Sequence, residues 1–362
     1  MKTKIFLIFL FLINFYVNAQ NYCLRFFGNG VDDIDRVKIQ INDPEKKADV
    51  GFDFTIEFQI KALLENNPLG DQAQEGENDD WTKGHIIIDR DIFNQGDYGD
   101  YGISLANGKI AFGVNNGTNS YTLIGNTFVA DGNWKHIAVT RNSTTGQISI
   151  FVNGSIDKTA STNVTGDISY RNDRTPNYPN EPFIVVGAEK HDYDNSQYPS
   201  LNGFIDELRI SDTIRYNSDY TPVSVFEDDE HTMALYHFDE GQENIVNDFA
   251  FISGNNSIGI INFGGNPLGP VWILNDIVEL KDYKNTHFSI FPNPSNGLLS
   301  IVSNHKYDKN GIVKIYCIEN KLIKILKLNL NEKIDLSYLN SGVYVLELIT
   351  NEKNEFHKII LY

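Results

Sequence analysis

The sequence has almost no cysteine, although its first residues indicate export. Of its 362 residues only two are cysteines, Cys23 and Cys317. They lie in different predicted domains, so their number and placement exclude a disulfide framework. Stability must therefore come from a buried core, which a chain with 41% apolar residues can build.

The chain is also poor in positive charge. It has 30 Lys and Arg against 48 Asp and Glu, a formal net charge of −18. The tail from Lys281 to Tyr362 is slightly basic, so the negative charge is concentrated in the part that precedes it, and this contrast indicates two domains. Such an acidic body repels nucleic acid and anionic lipid and suits cations and neutral or cationic ligands. Nucleic-acid binding is therefore excluded.

The first 20 residues have the pattern of a secretory signal peptide. Lys2 and Lys4 precede the apolar stretch Ile5–Val17, and we expect cleavage between Ala19 and Gln20. The alternative is a transmembrane anchor, but a bilayer-spanning helix needs about 20 apolar residues and this run is shorter. No later segment is long and apolar enough to span a membrane. We therefore expect a secreted protein, in the medium or on the outer cell surface.

Convincing helical periodicity is absent, and short apolar runs with a period of two recur instead. Phe54–Ile60, Ile110–Val114 and Ile148–Val152 alternate cleanly, and Asn107-Gly108 and Asn153-Gly154 are turn signals. Further candidate strands are Tyr22–Phe27, His85–Ile88, Tyr101–Leu105, Tyr121–Ile124, His136–Arg141, Phe183–Gly187, Phe204–Ile210 and Ala234–Phe238. Many short strands at this spacing predict an all-β sandwich or barrel.

One pair of strands carries the most specific pattern. Asp131–Arg141, which contains Trp134, is followed by Ile148–Gly154, and together they resemble the hairpin signature of laminin-G-like jelly rolls. Four more segments resemble that family in the same order: Leu24–Gly30, Asp53–Phe58, Asn202–Ile210 and Ala234–Gly241. The resemblance implies a concanavalin A-like jelly-roll β-sandwich over residues 20–265, with Trp134 and its hairpin buried between the two sheets.

The tail has a pattern of its own. Phe288–Gly297 resembles the start of the C-terminal sorting domain of the type IX secretion system in Bacteroidetes, with support from Val313–Tyr316, Ile334–Val345 and Lys358–Leu361. The resemblance implies a second, small β-sandwich at residues 286–362 after a linker at 266–285, with the type IX machinery as partner. An ordinary C-terminal adhesion module is the alternative.

Asp206 is the candidate metal ligand. A period of two places it on one strand face with Leu208 and Ile210, and burying a carboxylate there is costly unless it is paired or binds a metal. Ca²⁺ takes several oxygen ligands, including backbone carbonyls. The resemblance implies a structural calcium between this strand and the first loop. The candidate ligands are Gly28, Asp32, Asp33 and Asp206. The alternative is a carboxylate satisfied by backbone N–H groups, by Arg209 or by a tyrosine hydroxyl.

A carbohydrate site would need aromatic platforms flanked by amides and carboxylates. Residues of these types lie in or beside the long predicted loops at 65–81, 167–182 and 188–202. The candidates are Trp81, Tyr98, Tyr101, Asp192, Tyr193, Asn195 and Tyr198. The alternative interpretation is that Trp81 caps the core and the tyrosines occupy strand ends.

Catalytic patterns are missing. The E-x-D-x-x-E motif of laminarinase-type jelly rolls does not occur, nor does a nucleophile elbow, a His-Glu-x-x-His zinc motif or a phosphate-binding glycine loop. The acidic run Glu227–Glu230 lies between predicted strands. We therefore expect no enzyme but a binding or adhesion protein for carbohydrate or glycoconjugate, with a structural calcium. The alternatives are a glycoside hydrolase or lyase on the same fold, and a structural surface-layer protein.

Overall fold

The structure is a computed structural model with two compact units, residues 1–276 and 277–362. The residues it describes are 21–32, 34–41, 46–91, 100–170, 183–191, 194–262, 269–275, 288–293, 295–303, 311–317, 322–328, 333–340, 342–350 and 354–361. The predicted cleavage site at Ala19 and Gln20 lies outside them and stays a prediction. No helix in these ranges is long and apolar enough to cross a bilayer.

Sixteen strands are described in the first unit. They are β1 (Tyr22–Phe27), β2 (Arg36–Gln40), β3 (Phe54–Ala62), β4 (His85–Arg90), β5 (Asp100–Ala106), β6 (Lys109–Asn115), β7 (Ser120–Ile124), β8 (Lys135–Arg141), β9 (Gln147–Val152), β10 (Ser155–Ser161), β11 (Phe183–Val186), β12 (Asn202–Ser211), β13 (Thr232–Tyr236), β14 (Ile245–Val246), β15 (Gly259–Asn262) and β16 (Val271–Leu274). The described helical segments are two short 3₁₀ turns, Leu64–Asn66 and Asp80–Lys83. The all-β prediction is confirmed.

These strands form two antiparallel sheets. Sheet A has the order β10-β9-β8-β3-β12-β1-β16, and β13 also pairs with β12. Sheet B has the order β14-β15-β2-β11-β4-β5-β6-β7. Consecutive strands β8, β9 and β10 and consecutive strands β4 to β7 are neighbours, whereas the central strands pair across long stretches of sequence. This arrangement is the predicted sandwich.

The core lies between the two sheets. Phe54 of sheet A contacts the rings of Tyr101 and Phe112 of sheet B, with ring centroids 5.1 and 6.3 Å apart. All three side chains are fully buried. Burying an aliphatic or aromatic side chain of this size contributes about 1.5–3 kcal/mol each. The apolar side chains at every second strand position of both sheets therefore form the core.

The hairpin of β8 and β9 is where the sequence predicts it, but Trp134 is not. Ile137 and Val139 of β8 are fully buried in the core. Since alternate residues point to opposite faces of a strand, His136 points outward, and Trp134, two residues before it, lies on the same outer face. There Trp134 is half-buried and its ring packs against Phe204 at 6.3 Å. The prediction that Trp134 lies between the sheets is wrong, because it has the outward parity of its strand.

The first and last strands of this unit are neighbours. β16 pairs antiparallel with β1, with Tyr22 opposite Leu274. The backbone N–H of Asn275 donates to the Asn21 carbonyl at 2.7 Å. Residues 271–274, which the sequence placed in a linker, are thus a strand of sheet A. On its other side β1 pairs with β12, so it is enclosed by partners from far along the chain.

The second unit is a small sandwich of seven described strands. They are β17 (Phe288–Phe291), β18 (Leu298–Ser303), β19 (Gly311–Cys317), β20 (Leu322–Leu328), β21 (Lys333–Asp335), β22 (Gly342–Thr350) and β23 (Asn354–Leu361). One sheet has the order β17-β18-β21 and the other β20-β19-β22-β23. Leu299 and Ile301 from the first sheet share one buried cluster with Val313 and Leu346 from the second. The predicted second β-sandwich is confirmed.

Candidate functional site

Strand β12 contains a bulge that moves Asp206. The pairing of β12 with β3 shifts register between Asp206 and Arg209, and Glu207 has a φ of +48°. Ile205 and Leu208 therefore both face the core, three residues apart, where a regular strand would put them on opposite faces. Asp206 lies on the outer face. The prediction that it shares a face with Leu208 and Ile210 is wrong, because the bulge adds a residue between them.

The Asp206 carboxyl is satisfied within the protein. It is 3% exposed; Oδ1 accepts a hydrogen bond from the Glu207 N–H at 3.0 Å and Oδ2 accepts one from the Asn275 side-chain amide at 2.6 Å. Burial, followed by the negative charge of Glu207, raises its pKa to about 8. Each of its two oxygens is therefore used by a hydrogen bond within the protein.

The predicted calcium ligands do not come together. Gly28 follows β1 at the end where Phe27 pairs with Asn202, whereas Asp206 lies four residues further along β12. At about 3.3 Å per residue this separation is roughly 13 Å along the strand. Asp32 is exposed. The set Gly28, Asp32 and Asp206 therefore does not fit one ion, and its fourth member, Asp33, lies outside the described residues.

Sequence reasoning missed Asp35, the buried carboxylate beside that first loop. It is 1% exposed, and its Oδ2 accepts backbone N–H bonds from Phe27 at 2.7 Å and Asn29 at 2.9 Å. Its Oδ1 has no hydrogen-bond partner among the described residues. Burial raises the pKa of Asp35 to about 6, against the lowering effect of those N–H groups. No periodic signal marks this residue, since it lies between strands.

Two of the predicted ligand-binding aromatics are core residues. Trp81 is 2% exposed and lies over the backbones of Gly102 and Gly113, on the outer face of sheet B. Tyr101 is fully buried between the sheets, with the Arg90 guanidinium 4.4 Å from its ring centroid. Neither ring can meet a ligand, so the ligand-binding prediction is wrong for both, and the interpretation of Trp81 as a cap on the core is the right one.

The other candidates divide into internal and undescribed residues. The Asn195 amide donates to the Gly28 carbonyl at 3.2 Å and accepts from the Ser200 N–H at 2.9 Å, so it ties two loops together. Tyr198 is half-buried and packs against the cluster around Trp81. Three predicted ligand-binding residues lie outside the described part of the chain: Tyr98, Asp192 and Tyr193. For them the prediction is untested.

A buried polar network lies on the outer face of sheet A, beneath residues 212–231. Glu57 is fully buried; its Oε1 accepts from Arg209 Nε at 2.9 Å and its Oε2 accepts from the Tyr216 hydroxyl at 2.8 Å. His136 Nε2 lies 3.2 Å from the same Oε2. Burial opposes ionisation, but the His136 hydrogen bond and the Arg209 charge hold the pKa of Glu57 below its ordinary value. This carboxylate is ionised and fully engaged.

A groove of about 350 Å³ opens beside this network. Its floor is formed by the outward side chains of β8, β9 and β10, and one wall by the segment after β12. The lining residues are Thr140, Asn142, Gln147, Ser149, Phe151, Ile156, Thr159, Ile214, Tyr216 and Asn217. Hydroxyl and amide groups thus alternate with apolar side chains, and no lining residue is charged. Sequence reasoning missed this groove because its residues are the polar positions of ordinary alternating strands.

The apolar wall of the groove is held rigidly. The Tyr216 ring stacks on the Tyr220 ring with centroids 3.5 Å apart and an interplanar angle of 6°, and Phe151 contacts Tyr216 at 6.0 Å. On the floor, the Ser149 and Thr159 hydroxyls lie 2.9 Å apart. Phe151 is 1% exposed and supports Tyr216 from within, so the groove presents the half-buried Tyr216 ring next to hydroxyl groups that lie within hydrogen-bonding distance of each other.

A second concavity, of about 400 Å³, has a different character. Its lining has one lysine, Lys47, and four carboxylates: Asp49, Asp53, Asp212 and Glu230. The exposed Phe52 lies among them. Such a lining suits a cationic group, whereas the groove on sheet A suits a neutral one.

A cluster with metal-binding donors lies at the end of sheet B. The Nδ1 atom of His191 is 3.2 Å from Glu189 Oε1 and 3.2 Å from Asp91 Oδ1. Within the described residues this is the group of three whose ligand atoms could hold a metal ion. Burial raises the pKa of Asp91 to about 6 and that of the neighbouring Asp89 well above its ordinary value, in the latter case with help from the Asp91 charge.

These features define a β-sandwich with a neutral polar groove, followed by a second sandwich. Residues 77–218 match the model of the Concanavalin A-like lectin/glucanases superfamily, and residues 289–362 match that of the Secretion system C-terminal sorting domain. The chain therefore combines a concanavalin A-like, laminin-G-type domain with a sorting domain, as the resemblances predicted. A sorting domain marks the chain for export to the cell surface or the medium.

No curated protein matches the chain. Among solved structures, it resembles a Bacteroides ovatus ATCC 8483 protein inferred to bind carbohydrate, with 14% identity and a TM-score of 0.44, over 71% of this chain and 61% of that one. The chain thus spans about three fifths of that protein.

Two further similar structures are a heptameric SAP-like pentraxin from Limulus polyphemus and domains LG4-5 of the mouse laminin α1 chain. The pentraxin has 13% identity and a TM-score of 0.36, over 55% of this chain and 80% of that one. The laminin domains have 11% identity and a TM-score of 0.36, over 94% and 69%. With TM-scores below 0.5, none of these likenesses assigns a ligand to this chain.

Proposed function

We propose that this chain is an exported, non-enzymatic binding protein whose groove on sheet A takes a neutral glycan or glycoconjugate. The observation that carries the proposal is the composition of the groove: hydroxyls and amides on its floor, the half-buried Tyr216 ring and the exposed Ile156 side chain beside them, and no charge in its lining. Sugars offer hydroxyl groups for such donors and acceptors and C–H faces for apolar side chains. The groove volume is within the usual range for small-molecule sites.

The position of the carboxylates supports binding without hydrolysis. Glycoside hydrolysis needs two carboxyl groups flanking the scissile bond. The groove lining contains none, and the nearby Glu57 is buried in its ion pair with Arg209. Glu207 is also buried, with the His237 Nδ1 atom 2.9 Å from its Oε1. A hydrolase would need these groups exposed to the groove.

A glycan array probed with the full chain tests the proposal, followed by titration calorimetry with the best neutral ligand. Gln147 and Asn217 are exposed in the groove, so the double variant Gln147→Ala/Asn217→Ala should fold normally and bind about fivefold or more weakly, since two hydrogen bonds of about 0.5–1.5 kcal/mol each are lost. Gln242→Ala, an exposed amide elsewhere, is the matched control. Unchanged affinity in the double variant contradicts the groove as the site.

The hydrolase or lyase alternative gives a different result. Incubation of the chain with laminarin, agar, alginate and carrageenan should release no new reducing ends or unsaturated products. Release of either would replace the binding proposal with an enzymatic one.

We also propose that the sorting domain is recognised by the type IX machinery, and that deleting residues 286–362 would leave the protein inside the cell.

Calcium also stays a proposal. The predicted ligand set does not fit one ion, and the first loop offers Asp35 as its buried carboxylate in place of Asp206. Calcium titration of the Asp35→Asn variant, compared with Asp206→Asn, tests this assignment: only the first change should weaken calcium binding.

A further inference from the structure

Three metal-binding side chains converge where two neighbouring strands of sheet B end. Asp91 follows β4 directly, and Glu189 and His191 follow β11. The two strands are paired, with Val186 opposite Ile88 and Val185 opposite Asp89. Residues about 100 positions apart in sequence are therefore held side by side by a backbone ladder, which is a rigid base for a site.

Two of the three distances between the ligand atoms match those of a coordination sphere. His191 Nδ1 lies 3.2 Å from one oxygen of Glu189 and 3.2 Å from one oxygen of Asp91, and the three ligand atoms lie within 4.8 Å of one another. Ligands at 2.0–2.1 Å from a tetrahedral ion are about 3.3 Å apart. The side chains of His191 and Glu189 are 1% and 11% exposed, and that of Asp91 is 26% exposed. Asp91 is thus the most exposed of the three side chains.

A proton on His191 cannot serve both carboxylates well. The contact with Glu189 has hydrogen-bond geometry, but Asp91 Oδ1 is a buried atom with no hydrogen-bond partner among the described residues. A single N–H points in one direction, whereas a cation placed between the three atoms would satisfy both oxygens and the nitrogen at once. Asp91 Oδ1 thus lies near His191 Nδ1, the same atom that contacts the Glu189 carboxylate.

Carboxyl groups are crowded together around the cluster. Asp89 is 1% exposed and accepts N–H bonds from Asp91 and Lys190, so a third carboxyl lies behind the first two. The Lys190 ammonium donates to the Asp91 backbone carbonyl, and lies 5.6 Å from the Tyr170 ring centroid. Crowded buried carboxyls are costly unless they are paired or bind a metal.

We propose that Asp91, Glu189 and His191 bind a divalent transition-metal ion, with Zn²⁺ as the first candidate, that ties the connection after β4 to the connection after β11. One imidazole and two carboxylates suit zinc or manganese, whereas Ca²⁺ prefers oxygen ligands alone. The proposal is independent of glycan binding, because none of the three residues lines the groove on sheet A.

Zinc titration of the full, tag-free chain after removal of metals by chelation tests the proposal. We expect one Zn²⁺ per chain from this site and a rise in the melting temperature when zinc is added. His191→Ala and Asp91→Asn should each weaken zinc binding about tenfold or more and abolish the rise in melting temperature. Asp91→Asn keeps the size of a partly exposed side chain, so it serves if His191→Ala fails to fold.

His231 provides the matched control, since its exposed Nδ1 lies 3.0 Å from Asp212 and its Nε2 lies 3.9 Å from Glu230. His231→Ala should bind zinc like the wild type. Zinc binding that survives in both Asp91→Asn and His191→Ala would overturn the proposal, as would no binding by the wild type. Binding of Ca²⁺ alone at these residues would overturn the choice of metal.

Discussion

Gly102 and Gly113 lie directly opposite each other in the ladder between β5 and β6, and the Trp81 indole lies over both. A Cβ at Gly113 would be 1.8 Å from Trp81 Cδ1, and one at Gly102 would be 2.0 Å from its Cζ3. The paired glycines form a flat site on the outer face of sheet B in which a tryptophan can be buried.

Gly113→Ala should therefore destabilise the first unit. The indole has to move away from the new methyl group, and overpacking of this kind costs about 1–3 kcal/mol. Urea unfolding of the full chain measures the change. In a Trp81→Ala background the same substitution should cost much less, because the atoms it meets are gone. Equal costs in both backgrounds would show that Trp81 does not limit this position.

Glu57→Gln should destabilise the unit through Arg209. Arg209 Nη2 lies 2.7 Å from Glu57 Oε1, and the two side chains are 8% and 0% exposed. Removing one charge leaves the other buried and unpaired, which costs about 3–5 kcal/mol. Denaturant unfolding checks this value. Lys83→Gln, which removes the partner of Asp80 in a partly exposed pair, is the control and should cost under about 1 kcal/mol. Similar costs for the two variants would contradict the assignment of Glu57 to a buried network.

Asp206 should make stability fall as pH rises. Burial and the Glu207 charge raise its folded pKa to about 8, above an unfolded value of about 4. The folded state thus holds the proton more tightly, so this contribution is complete below pH about 4 and is lost between there and about 8.

Asp206→Asn replaces the titrating carboxyl with a neutral amide, and the Asn275 side chain can turn so that its oxygen accepts a hydrogen bond from the new side-chain N–H. The variant should match the wild type near pH 4 and exceed its stability at pH 8–9 by an amount on the order of 5 kcal/mol, since each pH unit between about 4 and about 8 contributes about 1.4 kcal/mol. Unfolding curves at a series of pH values give the difference. Parallel pH profiles for the two proteins would mean that Asp206 titrates normally.

The hairpin of β8 and β9 could be predicted from sequence because its signals are local. Both strands are determined by three local features: alternation over five residues, a polar residue at every second position and a turn at Asn153-Gly154. The placement of Trp134 between the sheets failed for an equally local reason: its parity with His136 already indicated the outer face. The large apolar side chain of Trp134 suggested burial in the core, whereas its position in the alternating pattern places it outside.

The candidate sites could not be predicted, because they depend on register. The bulge at Glu207 turns Asp206 outward, and no residue type in that stretch requires it. Likewise Asp91 and His191 meet only because β4 pairs with β11. The composition of an alternating strand indicates which side chains are polar, but not which other strand's polar residues lie beside them.

The pairing of β1 with β16 has a consequence for the order of assembly. Both neighbours of β1 are formed by residues that are synthesised long after it, at positions 202–205 and 271–274. Contacts so distant in sequence form slowly. Until residues 271–274 have been made, one edge of β1 has no partner, so sheet A can be completed only when almost the whole first unit has been synthesised.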